Sequence, residues 1–196
     1  HLISFLTQKM LLTAIYERWN GVKVSDAAKR LGVSTKSASR CFDELEYLNV
    51  GVLGMKSKSR VIEIPDDRKE LWLQIEHILR DPVIRRFILR EDMKLEKKAG
   101  ISALCEYSLL SDNVYPTYAV TKKELKASGV KMERQAGKLE EIGCVVLELG
   151  YFIDFWGKGL QDPLSVALSQ TGEEQEEERV DLSINKMLEE YVWSKD

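Results

Sequence analysis

The sequence predicts an α+β fold in which two small domains are joined by a helical linker. Two helical segments separated by a Gly-Val-Ser turn lie near the N-terminus, and two short β-prone runs around a basic turn follow them. Beyond Gly100 the pattern changes, because β-prone runs and amphipathic segments alternate there. These observations predict an N-terminal domain over residues 1–65, a helical linker over 66–96 and an α+β regulatory or interaction domain over 97–196.

Three helices are expected in the N-terminal domain. The first, Leu2–Trp19, has a broad apolar face, and the second, Asp26–Leu31, repeats apolar residues on one side. Gly32 suits the positive φ that a sharp exit from a helix requires. The third helix is predicted over Ser34–Leu48, where the hydroxyl of Ser34 can accept hydrogen bonds from the first backbone N–H groups.

The third helix has an apolar face and a face of hydroxyl and cationic side chains. The apolar residues, which should pack in the core, are Ala38, Cys41, Phe42, Leu45 and Leu48. On the other face, long cations can pair with guanine edges in a major groove, and hydroxyls can bond phosphate or base. This face is therefore predicted to bind duplex DNA, with Ser34 on phosphate and with Thr35, Lys36, Ser39 and Arg40 on bases.

A β-hairpin is predicted directly after the third helix. Two β-prone runs, at residues 52–53 and 61–64, flank a segment of small residues that contains Lys56, Lys58 and Arg60. This composition is typical of a hairpin tip that lies on phosphates, and the tip is predicted to span residues 54–60. Helix pairs joined by Gly also occur in many all-α proteins, and some domains of this design mediate only protein contacts. The hairpin favours DNA binding over these alternatives.

The chain resembles bacterial winged-helix transcription regulators, with MarR-type proteins the nearest well-known group, in the segment VSDAAKRLGVSTKSASRCFDELEYLNV. The resemblance covers about the first third of the chain. It implies sequence-specific binding of duplex DNA, usually by a homodimer, with helix 34–48 as the reader and the Lys56–Arg60 loop as the wing. A transcriptional repressor is the function that follows, and a two-fold symmetric operator is expected for a dimer.

The distribution of charge supports this prediction. The formal net charge is −3, but residues 1–98 contain 19 Lys and Arg against 14 Asp and Glu, whereas residues 99–196 contain 10 against 18. A basic N-terminal half favours a polyanionic partner, and the acidic half should be held away from it. A charged face alone is also typical of any solvated surface, so the asymmetry is supporting evidence only.

Two helices are expected in the linker. Pro65 ends the second β-prone run, and Asp66 or Asp67 can cap a helix over Arg68–Arg80. A shorter helix is predicted over Val83–Leu89. Nearby cations could reach flanking phosphates or pair with neighbouring acids; the cations are Arg85, Arg86 and Arg90, and the acids are Glu91, Asp92 and Glu96.

The C-terminal domain is predicted to combine one small sheet with covering helices. Helices are expected over Ile101–Leu110, 122–127 and 132–142, and β-prone runs over Tyr115–Val120, Cys144–Leu149 and Tyr151–Trp156. Gly150 suggests a hairpin or a bulge between the last two runs. After an acidic run at 173–178, a final amphipathic helix places Val180, Ile184, Met187, Leu188, Tyr191 and Val192 on one stripe. Packing within the chain is favoured for this stripe, and a dimer seam is the alternative.

Composition bounds the chemistry. Cys41, Cys105 and Cys144 are far apart and lie in apolar patterns, so they are interpreted as reduced core residues of a cytoplasmic protein. With only two histidines and no Cys-x-x-Cys pair, no metal and no cofactor are predicted. The longest stretch free of charged residues, 163–172, has ten residues against the ~20 of a membrane helix, so no membrane association is expected.

Alternatives of other classes remain for the C-terminal domain. Glu106, Asp112, Glu148 and Asp154 are candidate acids of a metal-dependent nucleic-acid enzyme. The sequence lacks a Gly-rich phosphate loop, a Gly-x-Ser-x-Gly elbow and a His positioned as a base, so an enzyme is not predicted and no catalytic residue is assigned. A ligand-sensing regulator with a small-molecule effector is a further alternative, with a pocket lined by Tyr107, Tyr115, Tyr118, Tyr151, Phe152, Phe155 and Trp156, although such aromatics are more often core.

The domain order is also similar to that of AbiEi-type antitoxins of type IV toxin–antitoxin systems, with a loose match around ISALCEYSLLSDNVYPTYAV. This resemblance implies an autorepressor of a toxin–antitoxin operon. The toxin would then be a functional partner and not a physical one, because such antitoxins act without inhibiting the toxin by direct contact.

Overall fold

A computed structural model describes residues 1–111, 115–128, 141–170 and 177–195. The chain divides into two compact units, His1–Arg80 and Asp81–Lys195, which we call the N-terminal unit and the C-terminal unit. Helices accompany a separate three-stranded sheet in each unit, so the predicted α+β class is confirmed. The predicted linker 66–96 is divided between the two units.

The N-terminal unit alternates helices with the strands of an antiparallel sheet. Its elements are α1 (Phe5–Glu17), β1 (Asn20–Lys23), α2 (Val24–Leu31), α3 (Thr35–Tyr47), β2 (Leu53–Lys56), β3 (Ser59–Glu63) and α4 (Arg68–Ile75). In the sheet, β3 lies between β1 and β2. The strand β1 was not predicted. A 3₁₀ turn, Glu76–Ile78, replaces the last part of the helix expected up to Arg80.

Local signals account for the helix boundaries in this unit. Gly32 ends α2 with a φ of 66°, as predicted for a sharp exit. Ser34 begins α3, because its Oγ accepts a hydrogen bond from the backbone N–H of Ser37 at 3.1 Å. Asp67 caps α4 by accepting from the N–H of Glu70 at 3.0 Å. The predicted helix-capping residues Gly32, Ser34 and Asp67 therefore lie at the helix ends where they were expected.

The core of the N-terminal unit lies between α1, α3 and the sheet. Buried side chains of α3 include four of the five predicted residues, Ala38, Cys41, Phe42 and Leu45. Fully buried residues of α1 and β3 also belong to this core, among them Met10, Leu11, Ile15, Val61 and Ile62, and α1 packs against α3. Each such side chain contributes about 1.5–3 kcal/mol by leaving water, so this layer fixes the orientation of α3.

A buried amide holds the end of the N-terminal unit. The Gln8 side chain, which is fully buried, donates to the carbonyl of Arg80 at 2.8 Å and accepts from the N–H of the same residue at 2.9 Å. Arg68, which is also buried, donates to the carbonyl of Ile15 at 2.9 Å. These bonds tie the segment after the hairpin back to α1.

The C-terminal unit contains a mixed sheet. Its elements are β4 (Val83–Leu89), α5 (Gly100–Tyr107), β5 (Thr117–Thr121), α6 (Lys122–Ser128), β6 (Cys144–Leu149), α7 (Pro163–Leu168) and α8 (Glu178–Tyr191). The central strand β6 pairs antiparallel with β4 and parallel with β5. The predicted helix over 132–142 falls mostly outside the described residues, as does most of the acidic run 173–178.

The helical prediction for Val83–Leu89 was wrong. This segment is the strand β4, and its residues pair with β6 in a register that places Phe87 opposite Val146 and Leu89 opposite Cys144. Phe87 and Leu89 are buried in the sheet core, at the spacing of two that a strand requires. The residues that pack against this segment lie more than fifty positions later in the chain. The local pattern of apolar residues gives no information about them.

The strand predicted over Tyr151–Trp156 is also absent. Asp154 forms a single isolated bridge with Gln161, and a 3₁₀ turn, Phe155–Gly157, follows. Gly157 and Gly159 have φ values of 65° and 68°, and they turn the chain back on itself. Gly150 therefore follows the last residue of β6 and is neither a hairpin turn nor a bulge.

The amphipathic stripe of α8 is buried within the chain, as predicted. Val180, Ile184, Met187 and Leu188 are buried, and Val192 is buried just beyond the helix end. The stripe packs against α5 and α7. These residues belong to the core of the C-terminal unit, which argues against their use as a dimer seam.

Candidate nucleic-acid interface

The N-terminal half of α3 presents its polar residues to solvent. Thr35, Lys36 and Arg40 are exposed, and Ser39 is half-buried. Lys36 and Arg40 are four positions apart and share one side of the helix. The hydroxyl of Ser34 is used by the helix cap and also donates to Oγ of Ser37 at 3.0 Å. The exposed groups of α3 that remain for a ligand are therefore the cations of Lys36 and Arg40 and the hydroxyl of Thr35.

The hairpin tip is a two-residue turn with unusual backbone geometry. Lys56 pairs with Ser59 across the hairpin, and the intervening Ser57 and Lys58 have φ values of 49° and 67°. Two-residue hairpin turns favour such angles because they match the strand twist, but Asn and Gly normally supply them. A side chain in this region costs about 1–2 kcal/mol. The tip thus keeps exposed Lys56 and Lys58 at a cost in backbone energy.

Arg60 was predicted to contact phosphate from the hairpin tip, but its side chain lies against α3. Its Nη1 lies 2.6 Å from Oδ1 of Asp43 and 3.6 Å from Oε2 of Glu46, and its Nη2 donates to Oγ of Ser39 at 3.2 Å. The guanidinium also lies 5.7 Å from the ring centre of Phe42. The physical reason is strand alternation, which turns Arg60 toward α3.

This contact joins two parts of the predicted surface. Because Arg60 bonds Ser39, the part of the hairpin next to its turn lies beside the polar side of α3. That Asp43 is the partner of Arg60 was not predicted from the sequence. The carboxylates of Asp43 and Glu46 lie on the C-terminal half of α3 and are 65% and 71% exposed. The helix is therefore cationic near its start and acidic near its end.

The cations of this surface are available to an anionic ligand. Within the described residues, no carboxylate pairs with Lys36, Arg40, Lys56 or Lys58. By contrast, Arg30 on α2 pairs with Glu17, so its charge is largely compensated. The N-terminal unit has 13 Lys and Arg against 10 Asp and Glu over residues 1–80. Among the described residues, its exposed cations without a carboxylate partner are these four and two others, Lys23 on β1 and Lys29 on α2.

The candidate acids of an enzyme do not gather. Glu148 is buried and accepts from Arg85 at 2.8 Å, Glu106 pairs with Lys98, and Asp154 accepts from the N–H of Gly159. Asp112 lies outside the described residues. Across the part of the chain that is described, no cluster of three or more His, Cys, Asp or Glu residues suits a metal ion.

Arg85 and Arg86 contact partners other than the neighbouring acids that were expected. Arg85 pairs with Glu148, Arg86 donates to the carbonyl of Ser169, and Arg90 lies 3.8 Å from Glu141. These contacts link β4 and the residue that follows it, Arg90, to residues of the same unit that are distant in sequence. The cations predicted for flanking phosphates therefore have partners within the C-terminal unit.

The aromatic residues proposed for an effector pocket include three buried tyrosines, each with a bonded hydroxyl. Tyr107 donates to the carbonyl of Gln161 at 2.9 Å, Tyr118 to Asp92 at 2.6 Å, and the hydroxyls of Tyr151 and Ser165 lie 2.7 Å apart. Burial raises the pKa of Tyr107 well above its usual range. These three tyrosines are core residues, which supports packing of the core over the lining of an effector pocket as their role.

The cysteines do not form disulfides in the structure. Cys41 and Cys144 are buried and Cys105 is half-buried. Burial raises the pKa of the Cys41 and Cys144 thiols, so the reactive thiolate is disfavoured at both. Their interpretation as core residues agrees with this burial.

Comparisons of the chain with protein-family models, curated proteins and solved structures found no match. A search of the described helices for one both long and apolar enough to cross a membrane also found none.

Proposed function

We propose that the N-terminal unit is a winged helix-turn-helix domain that binds duplex DNA, and that the protein is a transcriptional regulator acting as a repressor. The order α1-β1-α2-α3-β2-β3, with β3 between β1 and β2, supports the winged arrangement. The observation that carries the DNA proposal is the pair of uncompensated cationic surfaces on α3 and at the hairpin tip. The contact of Arg60 with Ser39 makes these surfaces neighbours.

The dimensions of α3 suit a major groove. Its 13 residues extend over about 20 Å, and a B-DNA major groove about 12 Å wide admits one helix. In this proposal Arg40 and Lys36 reach base edges, with Thr35 and Ser39 beside them. Lys56 and Lys58 contact phosphates from the hairpin, and Ser34 acts first as the cap that fixes the start of α3.

The strained hairpin turn supports the same proposal. A turn selected only for folding would carry Asn-Gly, which adopts positive φ at low cost. The sequence has Ser57 and Lys58 there instead, with φ values of 49° and 67°. Backbone strain is typical of sites where the side chain has a task, and a phosphate contact is a suitable task for an exposed lysine.

A titration of labelled duplexes with the full chain tests the proposal. The DNA upstream of the protein's own gene is compared with a scrambled duplex, using the wild type, Arg40→Ala and Lys123→Ala. Lys123 is exposed on α6 of the other unit, so its variant removes one positive charge without touching α3.

Arg40→Ala is expected to weaken binding to the native duplex by about 5- to 150-fold, because a base contact contributes about 1–3 kcal/mol of discrimination. Lys123→Ala should bind as the wild type does. Equal effects of the two substitutions, or equal affinity of the wild type for both duplexes, would contradict the assignment of α3 as the reader.

A further inference from the structure

We infer that Arg60 is a positioning residue, which with Asp43 holds the hairpin at a fixed place on α3 and does not itself bind phosphate. The functional consequence rests on the proposed DNA binding. The placement of the hairpin is a property of the free protein.

The guanidinium of Arg60 contacts a continuous stripe of α3. Ser39, Phe42, Asp43 and Glu46 occupy positions i, i+3, i+4 and i+7, which lie on one side of a helix over two turns. Arg60 reaches all four, with its shortest contact the 2.6 Å bond to Asp43. A planar fork with five donors suits this arrangement, because it can bond several acceptors at fixed angles.

Burial distinguishes Arg60 from the other cations of the surface. Its side chain is 28% exposed, whereas Lys56 and Lys58 are exposed. A move of the guanidinium to a phosphate would break its bond with Asp43 and leave that carboxylate unpaired near the DNA. The retained ion pair removes this repulsion.

The end of the hairpin depends on such a contact, because β1 pairs with β3 only from Val61 to Glu63 and two paired strands alone are only marginally stable in water. Arg60 lies two residues from Lys58, at the base of the turn. Fixing Arg60 on α3 therefore fixes where Lys56 and Lys58 stand relative to Lys36 and Arg40. The fixed spacing presents phosphate contacts and base contacts to the duplex together.

Four variants of the full chain separate this role from a phosphate contact. Arg60→Gln and Asp43→Asn each remove one charge of the 2.6 Å ion pair, and their double variant removes both charges of the same pair. Glu46→Gln is the matched control: it also removes a carboxylate from this side of α3, but Glu46 is 71% exposed and its 3.6 Å distance from Arg60 is too long for a hydrogen bond.

The first measurement is amide hydrogen exchange of Gly54 and Lys56 without DNA, because these residues of β2 occupy the hydrogen-bonded pairs with β3 on either side of the pair Met55–Arg60. Exchange is expected to accelerate about three- to tenfold in Arg60→Gln, in Asp43→Asn and in the double variant, and to stay within twofold of the wild type in Glu46→Gln. Unchanged exchange in Arg60→Gln and Asp43→Asn would overturn the positioning role even if the protein bound no DNA.

The second measurement is the salt dependence of duplex binding. Arg60→Gln should weaken binding while the slope of log K against log salt stays as in the wild type, and the double variant should bind no more weakly than Arg60→Gln. A phosphate contact predicts instead a slope smaller by about 0.9 and tighter binding by Asp43→Asn than by Glu46→Gln. Either of those results would overturn the inference. If the wild type binds no duplex, the proposed function fails, and the exchange result still decides the role of Arg60.

Discussion

The strained turn at the hairpin tip allows folding and DNA binding to be separated at one residue. Lys58 has a φ of 67°, where a side chain costs about 1–2 kcal/mol. Glycine removes that cost but loses about 0.5–1 kcal/mol through its freedom in the unfolded chain. Lys58→Gly is therefore expected to stabilise the N-terminal unit by about 0.5–1 kcal/mol, while removing one phosphate contact.

The matched variant is Lys58→Ala, which removes the same charge and keeps a β-carbon in the strained conformation. Hydrogen exchange of the slowest amides of α3, measured in the full chain, reports the stability of the N-terminal unit. The free energy of unfolding of the N-terminal unit should be higher in Lys58→Gly than in Lys58→Ala by about 0.5–1 kcal/mol. In duplex titrations both variants should bind equally and more weakly than the wild type, with the salt slope reduced by about 0.9.

Two results would refute this reasoning. Equal stability of the glycine and alanine variants would mean that the turn is not strained at Lys58. Wild-type affinity and salt slope in both variants would mean that the hairpin tip does not contact phosphate.

Three further predictions concern other parts of the molecule. Gln8→Leu removes the amide that bonds the half-buried backbone N–H and carbonyl of Arg80, so a loss of about 1–3 kcal/mol is expected in urea unfolding. A loss under about 0.5 kcal/mol would show that water replaces the amide. Gly143→Ala places a Cβ inside van der Waals contact with the backbone oxygen of Arg90, so a loss of about 3 kcal/mol is expected, and wild-type stability would be the contrary result. The hydrogen bond from Tyr118 lowers the pKa of Asp92 in the folded protein, so the associated stability is present at neutral pH and is lost as the pH falls through that pKa. Tyr118→Phe should raise the pKa of Asp92 in a carboxyl-carbon NMR titration, and an unchanged value would show that the hydrogen bond does not govern it.

The features that the sequence predicted well have their causes within a few residues. Gly32 ends a helix because of its own backbone freedom, and Ser34 caps the next through a hydroxyl three positions from its donor. The hairpin followed from two β-prone runs around a short turn. Local chemistry of this kind is fully present in the sequence.

The features that were missed depend on distant partners. The arginines in Val83–Leu89 interrupt a clean alternation, and the segment becomes a strand by pairing with β6. The strand β1 was missed because Asn20 and Gly21 are typical of a turn, whereas its pairing with β3 joins residues about forty positions apart. The turn signal of Gly157 and Gly159 was outweighed by the aromatics before it.

The candidate surface was predictable in composition but not in geometry. Helical spacing placed Lys36 and Arg40 on one side of α3, and the structure agrees. The role of Arg60 required the position of Asp43 on the facing helix. Strand alternation could have indicated which way Arg60 points, but only the packing of the hairpin on α3 supplies its partner.

Selection from a random pool of duplexes tests the central claim most directly. The full chain is incubated with the pool at physiological salt, and retained duplexes are amplified and sequenced over several rounds, with Arg40→Ala in parallel. DNA reading by α3 predicts that the wild type enriches one motif, and a dimer predicts two half-sites about 10 base pairs apart. Arg40→Ala should enrich a motif that is relaxed at one position of each half-site. Retention without any enriched motif, or no retention of duplex at all, would contradict the account.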